Sequence, residues 1–179
     1  MKRQMKKEVI FETASNEKIA ADVYDLRLKG DCRADIRAGQ FVEVALDGFF
    51  LRRPISVCDV YGDGIRLVYK VTGKGTEYMS SLKKGDRVRA LTGLGNGFSL
   101  DKCKKTALIC GGGVGVPPLL LLAKRLIESG KNAYVALGFN SAADVMLADE
   151  FKAVGAQVEI ATLDGSAGLK GTVAAALPR

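Results

Sequence analysis

Over the first hundred residues, short apolar runs are set between polar breaks. EVIFETA, IAADVYDLRL, GQFVEVAL, RRPISVCDVY, GIRLVYKVT and DRVRALTG are rich in β-branched and aromatic residues, and Gly, Asp or Asn separates them. Such runs read as strands. YGDG, at Tyr61 to Gly64, marks a tight hairpin. Six short strands joined by tight turns predict a closed or nearly closed antiparallel β-barrel. Between the fifth and sixth, GTEYMSSLKKG reads as one short helix ended by Gly85.

From residue 104 the pattern changes. TALIC is a continuous apolar run, as a strand covered on both faces requires. PPLLLLAKRLIES follows as a helix, with Pro117 or Pro118 in its first turn, where a missing N–H costs nothing. NAYVALGF is a second strand, AADVMLADEFKAVG a second helix and QVEIATL a third strand, and GTVAAALPR opens a third helix. The alternation predicts βαβ units and an α/β domain with a parallel sheet. The expected boundary lies in the polar DKCKK, giving domains 1–102 and 103–179.

Charge and composition narrow the chemistry. The chain has 27 Lys+Arg against 20 Asp+Glu, a net charge of +7. The basic residues are spread along it, with the densest group, MKRQMKK, reading as a solvated end. That pattern favours anionic small ligands or an acidic partner over nucleic acid. Histidine is absent, which excludes Ser-His-Asp and Cys-His catalysis and any histidine metal ligand. Cys32, Cys58, Cys103 and Cys110 form no CxxC pair and are expected to be reduced thiols partly buried in strands. No secretory signal is evident, and VGVPPLLLLA is too short to span a bilayer. A cytoplasmic protein with no metal site of its own is expected.

Three short motifs carry candidate chemistry. In CGGGVGVPP the glycines fall where the first strand of the second domain stops and its helix begins. Free N–H groups and the positive end of the helix dipole would face a diphosphate there. A tight turn with close helix packing is the other reading. The motif is neither GxGxxG nor a Walker loop, since no lysine follows. In RRPIS, Arg52 and Arg53 precede a rigid proline, and guanidinium forks match phosphate oxygens. TGKGT, at Thr72 to Thr76, is a second glycine turn opening a helix. Together and in this order, the three imply two bound nucleotides.

On these residues the chain resembles the ferredoxin–NADP reductase superfamily over nearly its whole length. Arg53, Pro54, Ile55 and Ser56 match the flavin motif R-x-x-S. Gly73, Lys74, Gly75 and Thr76 match the turn over the flavin pyrophosphate, and GGGVGVPP matches the nicotinamide-nucleotide loop. LRRPIS, GKGTEYMSSLKKGD, GLGNGFSL and LDGSAGLKG are most similar to one branch, the electron-transfer subunits of type B dihydroorotate dehydrogenases.

The resemblance implies FAD, NAD(H), a 2Fe-2S cluster in full-length relatives, and a dihydroorotate dehydrogenase catalytic subunit as partner in a heterotetramer. It implies FAD contacts from Arg53, Pro54, Ile55, Ser56, Tyr69, Lys70, Val71, Gly73, Gly75 and Thr76. Ser56 would lie near the reactive edge of the flavin as the catalytic residue, while Ile55, where many relatives carry Tyr, does not stack on it. Gly111, Gly112, Gly113, Gly115 and Pro117 would receive the NAD pyrophosphate. GFNSAAD carries Asp144 and no Arg or Lys, which favours NADH over NADPH.

Cys110, at the end of its strand, is expected to be a packed core thiol rather than a nucleotide contact. The superfamily's Cys-Gly-Pro segment and cysteine-rich tail are absent, so a shortened form of a longer protein is expected, with Thr106–Cys110 an exposed apolar edge prone to aggregation. The alternatives are a related reductase with another acceptor, or a non-catalytic flavin-binding module.

Overall fold

A computed structural model describes residues 6–30 and 36–178. The chain divides into two compact units, Met1–Gly97 and Phe98–Arg179. The expected boundary at residue 102 lies in the 3-10 turn Leu100–Lys102, within the second unit. Cys32 and most of MKRQMKK lie outside the described residues.

The first unit is a closed barrel of β1 (Lys7–Ala20), β2 (Val23–Lys29), β3 (Phe41–Ala45), β4 (Arg53–Tyr61), β5 (Gly64–Lys70) and β6 (Arg87–Leu94). Every pairing is antiparallel, in the order β1-β2-β5-β4-β3-β6. Closure between β1 and β6 removes the free edges of the sheet. Strand alternation sends Leu26, Leu28, Val42, Val44, Ile65 and Leu67 to a fully buried inner face. On the other face of β2 and β5, Asp25 accepts from Arg66 through both oxygens, with Nε–Oδ1 2.9 Å and Nη2–Oδ2 2.8 Å. Tyr69 sits 3% exposed, stacked on Tyr24, and burial pushes its phenol well above the ordinary range.

Two boundaries in this unit differ from the sequence reading. The strand expected from Ile19 is divided, because the chain turns at Asp22 (φ 58) between β1 and β2. The helix expected to run to Gly85 is the shorter α1 (Lys74–Ser80). Ser81 closes it, and Gly85 (φ 93) shapes the following turn, where its N–H donates to Thr13 O.

The second unit is a parallel sheet of β7 (Thr106–Gly112), β8 (Asn132–Phe139), β9 (Gln157–Thr162) and the two-residue β10 (Leu169–Lys170). Its order is β10-β9-β8-β7, so β7 is an edge strand, as expected. One face, carrying Ile109, Val135 and Leu137, is covered by α2 (Pro118–Glu128) and α3 (Ala148–Ala153). Ala136 and Ala161 on the other face pack with Ala176 and Val173.

The second predicted helix is broken into a 3-10 turn, Ala142–Asp144, and α3. Asp144 caps its own turn and Leu147 takes a left-handed conformation (φ 62), so the helix restarts at Ala148. The third predicted helix is a 3-10 turn, Val173–Ala176.

Cys110 corrects a sequence expectation. It is exposed, not packed. It pairs in register with Ala136, and the 3-10 turn that covers Ala136 does not shield it; Leu108 on the same face is 51% exposed. Cys58 in β4 is fully buried and Cys103 half-buried. We therefore expect a thiol reagent to label Cys110 in the native protein while Cys58 reacts only on unfolding. Peptide mass mapping reads this, and a protected Cys110 would mean that this face is covered in solution.

Candidate functional site

RRPIS does not act as an arginine pair. Arg52 Nη2 pairs with Glu8 Oε1 at 2.5 Å, and that hydrogen bond holds the Glu8 carboxyl below its usual range. Arg53, the first residue of β4, turns the other way. Its Nη1 donates to Leu51 O at 2.6 Å, and its Cζ lies 5.1 Å from the centre of the Phe49 ring. A Cβ built on Gly75 would stand 1.9 Å from Arg53 Nε and 2.5 Å from Cζ. The guanidinium therefore occupies the space that a side chain at position 75 would fill, and glycine there lets it keep this pose.

The turn before α1 is held by Thr76. Its Oγ1 accepts from the N–H groups of Thr72 (2.9 Å) and Gly73 (3.2 Å) and donates to Gly73 O at 3.0 Å. The hydroxyl of Thr76, an expected FAD contact, is thus committed to the turn. Gly73 is extended and has nothing near its Cβ position. A guanidinium beside the first turn of a helix, whose leading N–H groups have no intrahelical acceptor, suits an anion.

The remaining expected flavin contacts are spread over two sides of β4 and the end of β5. Arg53 and Ile55 share one face of β4 and are half-buried; Pro54 and Ser56 alternate onto the other and are exposed. Tyr69 turns into the fold, with its hydroxyl 3.3 Å from Asn16 Oδ1. Lys70 is exposed, and the Val71 N–H donates to Asp22 O at 2.7 Å. The site residue that sequence reasoning missed is Phe49. Its only signal was an aromatic residue four positions before the arginine in GFFLRR.

In the second unit, Gly111 and Gly112 end β7, and Gly113–Gly115 form a 3-10 turn leading to α2. Gly113 has φ 50, a region that favours glycine. A Cβ on Gly111 would meet Leu119 Cδ1 at 2.4 Å, so that glycine serves helix packing, whereas Gly113 and Gly115 face open space.

The free donors expected at the helix start are not there. Pro117, the N-cap, and Pro118 have no N–H, and the N–H groups of Val116, Leu119 and Leu120 donate to Gly113, Val116 and Pro117. Backbone donors for a ligand must come from the glycine turn itself. Asp144 Oδ2 accepts from the N–H and hydroxyl of Ser141 at 3.1 and 2.9 Å, so one of its oxygens is engaged locally. Among the described residues no three His, Cys, Asp or Glu side chains are grouped to hold a metal, and no helix is long and apolar enough to cross a membrane.

No protein-family model matches the chain. It is 41% identical over 167 residues to the dihydroorotate dehydrogenase B (NAD(+)) electron transfer subunit of Fusobacterium nucleatum, covering 88% of this chain and 64% of that protein. With the subunit of the same name from Bacillus pumilus it is 38% identical over 175 residues, covering 93% and 67%. The chain thus spans about two thirds of the length of these relatives.

Among solved structures, the NADH-dependent reduced ferredoxin-NADP oxidoreductase has a TM-score of 0.83 at 34% identity, covering 92% of this chain and 60% of that one. The FAD/NAD binding domain of nitric oxide dioxygenase from Vibrio cholerae has a TM-score of 0.79 at 22% identity, covering 91% and 78%, and shares the fold. On sequence likeness at this identity and coverage, the chain belongs to the family of dihydroorotate dehydrogenase B electron transfer subunits.

Proposed function

We propose that this chain is a flavoprotein subunit that passes electrons between NAD(H) and a dihydroorotate dehydrogenase catalytic subunit. The observation that carries the reading is the Arg53 guanidinium lodged over Gly75 at the opening of α1. A dinucleotide diphosphate fits this donor set, because the one position where a side chain would crowd the guanidinium is glycine. Arg53 and the Gly73–Thr76 turn would hold the FAD diphosphate, with Ile55 and Ser56 further along β4 toward the flavin ring. Thr76 acts indirectly, by fixing the turn. Bound FAD supplies a two-electron acceptor for the nicotinamide hydride and releases electrons singly.

In the second unit, Gly112, Gly113 and Gly115 would receive the nicotinamide dinucleotide, with Gly111 and Pro117 setting the approach of α2. Asp144, with no cation beside it in GFNSAAD, favours NADH over NADPH. The family resemblance carries the rest of the reading: work in the cytoplasm, in pyrimidine biosynthesis and in a heterotetramer, alongside a 2Fe-2S cluster for which no three candidate ligands are grouped among the described residues.

Anaerobic mixing tests the reading. The purified chain loaded with FAD should bleach at its blue absorption band on addition of NADH, and faster than with NADPH. Flavin that binds but stays yellow would make this chain a binding module. A chain that takes up no flavin would overturn the proposal.

A further inference from the structure

We propose that Phe49 is the positioning residue for Arg53, holding its guanidinium in the pose that meets the diphosphate. The inference rests on the reading of Arg53 as the FAD diphosphate contact. An arginine on a strand end has several rotatable bonds, and fixing them on binding weakens the complex. Here the fixing is done beforehand from three sides. The Leu51 carbonyl takes Nη1, the bare backbone of Gly75 borders Nε and Nη2, and the Phe49 ring lies 5.1 Å beneath Cζ. Phe49 is itself held, since its ring meets that of Tyr78 edge-on at 5.7 Å and 62°.

Gly75 and Tyr78 are three apart on α1 and so share a face of the helix. One helix face therefore receives the arginine at one position and the ring under it at the next. The ring also attracts the cation electrostatically. A leucine of similar bulk keeps the packing but loses that attraction. The aromatic character of residue 49, rather than its size, is what the arrangement needs.

The test compares Phe49→Leu, Phe49→Tyr and Arg53→Ala in the full chain, freed of flavin. The Arg53 Nε–H resonance, identified by its loss in Arg53→Ala, should lose its ring-current shift in Phe49→Leu and keep it in Phe49→Tyr. FAD dissociation constants should rise roughly two- to tenfold for Phe49→Leu and stay near the parent value for Phe49→Tyr. Where Phe49→Leu lowers the melting temperature, Phe49→Met serves the same comparison. Parent-like FAD binding by the non-aromatic variant, beside a loss in Arg53→Ala, overturns this proposal alone. Parent-like binding by Arg53→Ala overturns it together with the reading beneath it.

Discussion

Arg53→Ala is expected to weaken FAD binding by about 2–5 kcal/mol, roughly 30-fold to more than 1,000-fold. The size follows from what the substitution leaves behind. A diphosphate at the opening of α1 would keep its charge and lose the fork that faces it, and that cost exceeds the net worth of the contact. Gly75→Ala should act in the same direction with the arginine still present, because the new methyl group would stand 1.9 Å from Nε and expel the guanidinium. Arg52→Ala makes the contrast. Its charge is spent on Glu8, so flavin retention on gel filtration should survive that change. Retention equal to the parent's in Arg53→Ala would remove the flavin assignment from this arginine.

The second large effect concerns stability. Asp25→Ala is expected to cost about 1.5–3 kcal/mol, because the buried Arg66 guanidinium, 6% exposed, loses the two charge-assisted hydrogen bonds it makes to Asp25. In a unit of this size that lowers Tm by more than about 5 °C. Thermal melting of Asp25→Ala and Asp25→Asn reads the effect. A single-variant melt within a few degrees of the parent would show that the pair contributes little.

The barrel was legible because each strand is a short apolar run with a break on either side, so the six segments and their hairpin signal sufficed. What sequence reasoning misplaced were conformations set by single residues. The reversal at Asp22 and the left-handed Leu147 are both non-glycine residues at positive φ, which residue type does not announce. Cys110 was misjudged for another reason. A continuous apolar run signals a strand covered on both faces, yet whether cover is present depends on the neighbouring elements.

The candidate site was half legible. Arg53 and the glycine turns declare themselves by residue type, whereas the partition of Arg52 from Arg53, the engagement of Thr76 within its turn and the ring beneath the guanidinium depend on tertiary packing. The scarcity of amide donors at the start of α2 was visible in principle, since two consecutive prolines carry none.

The pairing of β1 with β6 has a consequence for the order in which the molecule forms during synthesis. Lys7 lies opposite Thr92, so the barrel cannot close until nearly all of the first unit has left the ribosome. Until then β1 holds only its local partner β2, and its other side is an unpaired edge. Arg53, Gly75 and Phe49 are all made before β6, so their contacts are of shorter range and can form first. The slow step is then the return of the last strand to the first. Substitutions along the β1–β6 seam should slow folding by about as much as they lower equilibrium stability and leave the unfolding rate nearly unchanged.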